Sequence, residues 1–189
     1  MVASADDDSS APRLVRIVQT RWSRRMGRIA EWTIARLPGN PWGNRLKSWA
    51  LKAAGADVAW PCHIDSDVWV RTPKNLSAGP GLVLSKGAIL TCSAPVSLGA
   101  NGLVGYYAYI GTANHRVPER LDEDIRSSGH DVAPVVMGDG CWVGAHACVL
   151  PGVTLGRGVV VGAGSVVTKD QGDGVVCVGA PARVLRVRA

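Results

Sequence analysis

From Met137 to Asp170 the chain reads MGDGCWVGAHACVLPGVTLGRGVVVGAGSVVTKD, and it repeats every six residues. An aliphatic side chain opens each unit, at Met137, Val143, Val149, Leu155, Val161 and Val167. Cys141, Ala147, Val153, Val159 and Ser165 place a small or β-branched residue four positions on. A fixed period held over this length marks a repeat architecture, in which each unit buries its apolar side only by stacking on its neighbours. Upstream the same phase gives Val58, Ile64 and Val70, then Ala78, Leu84 and Leu90, then Leu98, Val104 and Ile110. Within each set of three the step is six. Between sets it is eight, and from Ile110 to Met137 it is 27, which leaves 21 extra residues. Insertions therefore fall after every third unit. Three short strands per turn, with one corner free to bulge, describe a triangular prism: an all-β fold, a parallel β-helix of about five coils. The period leaves its handedness open.

Composition agrees with many short strands and turns. There are 23 Gly, no Phe and abundant Val. A length of 189 residues suits one domain with a short extension. The boundaries expected are an acidic tail at 1–12, a basic Trp-rich helical extension at 13–55, the β-helix at 56–180 with a projecting loop at 116–134, and a C-terminal tail at 181–189. The net charge of +6 is concentrated in the extension, where ten Lys or Arg between Arg13 and Lys52 face the single acid Glu31. Trp22, Trp32, Trp42 and Trp49 lie in the same stretch, and LPGNPWG (Leu37–Gly43) divides it into two helices. Leu14, Ile17, Val18, Trp22, Met26, Ile29 and Thr33 recur at helical spacing. Such a segment caps the open end of a repeat array. A basic, Trp-bearing amphipathic helix also suits an anionic membrane surface. Nucleic acid is not expected, because no recognition motif accompanies the charge.

No stretch reaches the roughly 20 apolar residues of a membrane span. The start MVASADDDSS has neither the positive region nor the apolar run of a secretory signal, so a cytoplasmic location is expected. Five cysteines, Cys62, Cys92, Cys141, Cys148 and Cys177, form no C-x-x-C pair and read as reduced structural thiols.

The 21-residue interruption follows Ile110, and Asn114 and His115 stand at its start. From spacing alone His115 is a surface histidine in a turn as readily as a functional one. The loop RVPERLDEDIRSSGHDVAP, Arg116 to Pro134, is too long and too charged to be core, and loops of this length in compact domains are commonly functional. Ala145 and Ala163 are one coil of eighteen residues apart and leave only small side chains at equivalent points. That suits a thin groove, or equally a tight contact between coils or subunits.

Three elements in this order, Asn114-His115, the run from Gly138 to Asp170, and GAPARVLR from Gly179 to Arg186, resemble the hexapeptide-repeat acyltransferases with left-handed parallel β-helices. The likeness covers about Val58 to Arg186. It is closest to sugar O-acetyltransferases of the galactoside and maltose type and of colanic-acid-type polysaccharide biosynthesis. The resemblance implies a left-handed helix, acetyl-CoA as co-substrate, and a homotrimer with each cleft between two β-helices. It implies His115 as the catalytic base, Asn114, Trp142 and Ser85 on the acceptor side, and Ala145, Ala163, Thr168, Lys169, Arg183 and Arg186 along acetyl-CoA. Galactoside-type members carry an Asn where repeat count places Ser85 here, so a galactoside or maltose acceptor is not implied. Trp142 serves equally as a subunit-interface aromatic. No metal is expected: a β-helical carbonic anhydrase needs three histidines, two of them close in sequence, and after His115 the chain reads RVPER. The expected activity is transfer of acetyl to a sugar hydroxyl. The alternatives are transfer to a non-sugar small molecule such as an antibiotic, and a non-catalytic trimeric scaffold.

Overall fold

A computed structural model describes Ile29 and residues 32–188. The acidic tail at 1–12 and most of the first helix expected in the extension lie outside the described residues; Ile29 and residues 32–36 of it are described and helical. The aliphatic positions found by period are the inward rungs of a left-handed parallel β-helix. On the first face Val58, Ala78, Leu98, Met137 and Leu155 pair in register. On the second Ile64, Leu84, Val104, Val143, Val161 and Cys177 do the same. Val70, Leu90, Ile110, Val149 and Val167 line the third. Among the described residues these make five complete coils. A partial sixth follows, built from the Gln171 bridge to Leu155 and strand Val175–Val178. Almost every rung is fully buried, and each buried Val, Leu or Ile contributes about 1.5–3 kcal/mol. A coil has no core of its own, so this energy exists only between coils.

The corners follow from the same spacing. Three residues past an inward rung the backbone turns left-handed, mostly at glycines such as Gly81, Gly87, Gly140, Gly152, Gly158 and Gly164. Asp67, Asn101, Tyr107 and His146 hold the same conformation without being glycine, a cost for any residue with a Cβ and greatest for a bulky one. Two of them offset it by stacking on each other, the Tyr107 and His146 rings lying 5.3 Å apart and nearly parallel. A Cβ on Gly87, one coil below, would collide with the Tyr107 ring.

A wound sheet exposes an unpaired strand edge at each end. At the C-terminal end, the stretch expected to be a tail is instead strand Arg183–Val187, running antiparallel on Val175–Val178. It covers the last edge of the second face. At the N-terminal end the cover is a helix, α1, spanning Pro41–Ala53. The Asn40 side chain accepts from Gly43 N at 2.9 Å and Pro41 follows it, a cap and a first-turn proline in sequence. Leu51 of α1 and Ile34, in the helical stretch at 32–36, join the core beside Val58 and Ile64.

Apart from Gly43 and Ala50, the rest of the inner face of α1 is polar. Asn44 Oδ1 accepts from Ile64 N at 3.0 Å, and its amide donates to Gly39 O at 3.1 Å. Lys47 Nζ donates to Ile64 O at 2.6 Å and Asp65 O at 2.9 Å. Asn44 Nδ2 also meets His63 Nδ1 at 3.1 Å, while His63 Nε2 meets Asp65 Oδ1 at 2.9 Å. Among the described residues strand Cys62–Ile64 has no coil beneath it, and these side chains complete its backbone hydrogen bonds. Burial pulls the Lys47 pKa below the ordinary lysine range, against the opposing pull of Asp65 and Asp67.

Candidate active site

The long interruption is built on a buried threonine. Thr112 Oγ1 accepts from Ser93 N at 2.8 Å and Ala94 N at 3.1 Å, fastening the shorter insert of the coil below. Its N–H donates to Thr91 Oγ1 at 3.1 Å, and its carbonyl accepts from Ala133 N at 3.0 Å where the loop returns. Both ends of the arm are therefore pinned to one residue.

From there the arm is a two-stranded antiparallel ribbon, Ala113–His115 against His130–Val132, with Asn114 opposite Asp131 and His115 opposite His130. The two imidazoles face each other, centroids 4.2 Å apart and 39° from coplanar. Arg116 clasps Asp131 Oδ1 through Nε at 3.0 Å and Nη2 at 2.9 Å, tying the strands just outside the histidines. Nearer the tip the Arg120 guanidinium holds the Asp122 carboxyl below the usual carboxylate range. Val117, Leu121 and Ile125 stand exposed along the arm.

At the root of the ribbon lies a cleft of about 510 Å³. Asn114, His115 and His130 form one wall, and Tyr109, Thr91, Ser93 and Arg71 the other. An imidazole lining a cleft beside hydroxyls and a cation is suited to accepting a proton from a bound alcohol.

The structure brings together two of the residues singled out from sequence, Asn114 and His115. Trp142 is half exposed on the outward row of the second face, between Leu103 and Val160. Ser85 is buried at the corner after that face, its N–H donating to Val104 O. Ala145 and Ala163 sit at the same corner two and three coils on, where Gly164 N donates to Ala145 O at 2.8 Å. Thr168 and Lys169 are exposed at the third corner, after the last complete coil, and Arg183 and Arg186 are exposed on the closing strand. Arg71, Thr91 and Tyr109 were missed, and His130 was legible only as a loop histidine suited to contact a substrate or a neighbouring subunit. Arg71 and Thr91 each follow a third-face rung by one residue, as Gly111 does, so the phase could have found them. His130 depends on the pairing of the ribbon, which has no periodic signal.

Among the described residues no group of three or more His, Cys, Asp or Glu could hold a metal ion.

The sequence profile described as bacterial transferase hexapeptide (six repeats) matches residues 134–169. The chain is 31% identical over 144 residues to the putative colanic acid biosynthesis acetyltransferase WcaF of Escherichia coli, covering 76% of each. The chain belongs to the hexapeptide-repeat acyltransferases. It is also 30% identical over 137 residues to the galactoside O-acetyltransferase of E. coli, matching 72% of this chain and 66% of that one. Among solved structures, a galactoside acetyltransferase in complex with coenzyme A superposes with a TM-score of 0.74 at 25% identity, over 94% of this chain and 92% of the other. This acyltransferase thus shares its fold with a protein seen with coenzyme A.

Proposed function

We propose that the protein is an acetyl-CoA-dependent O-acetyltransferase acting on a sugar hydroxyl, in a polysaccharide, a glycolipid or a glycosylated metabolite. The observation that carries this reading is the cleft itself, where the one long break in the repeat presents Asn114 and His115 beside Tyr109, Thr91 and Arg71. His115 acts as general base. As the acceptor oxygen attacks the thioester carbonyl, the imidazole takes the hydroxyl proton. The tetrahedral oxyanion is stabilised by N–H donors, and it collapses with cleavage of the carbon–sulfur bond. The proton on His115 then passes to the departing thiolate, which returns the base to its neutral form.

The small side chains at Ala145 and Ala163 suit the pantetheine arm of the donor, and Thr168, Lys169, Arg183 and Arg186 suit its phosphates. Asn114, Trp142 and Ser85 serve the acceptor side, Ser85 from the corner it shares with Ala145 and Ala163. These groups occupy two different edges of the prism within one chain, so a complete site needs two copies. A homotrimer supplies them. Its contacts have a natural place on the outward rows of the second and third faces. Val83, Leu103, Trp142, Val160 and Val176 line one row, and Trp69, Ile89, Tyr109, Cys148 and Val166 the other. The outward row of the first face is more polar, with Asp57, Ser77, Ser97 and Thr154 around the single aliphatic Val136.

The test is free thiol release from acetyl-CoA over a panel of sugars and glycolipids, with His115→Ala beside the wild type and coenzyme A binding measured by calorimetry. Turnover on a sugar should fall by roughly 10²–10⁴ in the variant while coenzyme A binding persists. A protein that fails to bind coenzyme A would sink the reading. Undiminished turnover in His115→Ala would remove the histidine from it.

A further inference from the structure

A helix packed on a core normally turns its apolar side inward, and α1 does the reverse until Ala50 and Leu51 turn inward in its last turn. Asn44, Lys47 and Ser48 are buried, Lys47 completely, while Trp42 and Trp49 are 55% and 66% exposed and Leu46 is 46% exposed. The inner polarity has a cause, because Asn44 and Lys47 supply hydrogen bonds to the open strand edge of the first coil. Among the described residues nothing explains the outer aromatics.

We propose that this outer face rests on an anionic lipid surface. Trp42 and Trp49 lie two turns apart on one stripe, with Arg45 and Lys52 along its flank, and α1 contains no acidic residue. Arg45 also sits over the Trp60 ring, 5.6 Å from its centroid. Trp60, Trp49, Arg45 and Lys52 border a shallow groove of about 290 Å³ that faces outward. Tryptophan is the side chain suited to the headgroup boundary, where its ring enters the apolar layer and its N–H stays wet. Arginine and lysine beside it meet lipid phosphates. The stretch from Arg13 to Arg28 adds six arginines and no acid to the sequence just before this face. A second copy of the chain fits less well, because a two-fold contact would set Arg45 and Lys52 against themselves with no acid to pair them. Among the described residues no helix is long and apolar enough to cross a membrane, so the contact is peripheral. It is independent of the cleft and stands whether or not the acetyltransferase reading does.

The experiment is co-sedimentation of the full chain with vesicles of phosphatidylcholine alone and of phosphatidylcholine with phosphatidylglycerol. Trp42→Ser/Trp49→Ser and Arg45→Glu/Lys52→Glu double variants run alongside. The wild type should bind the anionic vesicles, bind the neutral ones far less, and release in high salt. Each double variant should lose about tenfold or more in partitioning. All the substituted side chains are exposed, so thermal midpoint, oligomeric mass by light scattering and turnover on a soluble acceptor should stay at wild-type values. Three results overturn the proposal: a wild type that ignores anionic vesicles, double variants that bind as the wild type does, or a change in oligomeric mass that makes the face a contact between copies.

Discussion

Replacing Asn44 by leucine tests how the prism is sealed at its first coil. The change keeps the branched four-atom side-chain skeleton and improves helix propensity, so its cost comes mainly from the lost polar contacts. Asn44 is 4% exposed, accepts from Ile64 N at 3.0 Å and donates to Gly39 O at 3.1 Å. Leucine leaves the Ile64 N–H inside the structure with no acceptor, a penalty of about 1–3 kcal/mol, and forfeits about 1 kcal/mol more at Gly39. The expected loss is therefore about 2–4 kcal/mol. Urea unfolding at fixed protomer concentration measures it. With a slope of roughly 2 kcal/mol per molar, the midpoint should fall by about 1–2 M while the slope is unchanged. A shift smaller than about 0.2 M would refute the reasoning, because the Ile64 edge would then be satisfied by water and α1 would be no seal.

Lys47→Met removes the buried ammonium and should alter the pH profile of stability. In the folded chain burial lowers the lysine pKa from its ordinary 10.5. Between the lowered value and 10.5 the unfolded chain binds more protons, so wild-type stability should climb with pH across that window. The difference between wild-type and variant urea midpoints should grow toward alkaline pH, and parallel curves would show that Lys47 is not depressed. For the proposed two-copy site, His115→Ala and Ala163→Trp should each be inactive alone. Refolded together, they should recover roughly a quarter of wild-type turnover, because random mixing in a closed ring restores that share of sites; no recovery would place both halves in one chain.

The rungs were legible because coil stacking is a repeated local rule: each aliphatic position found by counting pairs in register with its equivalent one coil away. The placement of every insertion at one corner was legible for the same reason, and with it the position of Asn114 and His115. Side chains whose place depends on non-repeating structure were not. His130 meets His115 only because the ribbon pairs in one register, and the charged loop carries no pattern that selects it. The inverted face of α1 escaped periodicity, because what turned it was not its own sequence but the unpaired Ile64 backbone beneath it. Strand Arg183–Val187 read as a tail because its pairing is antiparallel and it continues no hexapeptide phase.

Where the repeat is strict, the chain has little freedom to change. At Gly144 an added Cβ would stand 2.7 Å from Ala163 N and 2.8 Å from Val161 O, and at Gly138 2.8 Å from Arg157 N, so the second and first corners are packed backbone on backbone. The third corner is different. There the chain carries a short helical turn at Pro73–Asn75, the hooked segment at Ser93 and Ala94, and the ribbon that ends at His130–Val132. These inserts need only return to the next rung, and Thr112 links two of them through hydrogen bonds that ignore the identity of most neighbouring side chains. The wall of the cleft opposite the histidines is drawn from the residues flanking these inserts, Arg71, Thr91, Ser93 and Tyr109. On the proposed reading, this wall of the acceptor cleft can therefore vary along the third edge while the stacked core stays as it is.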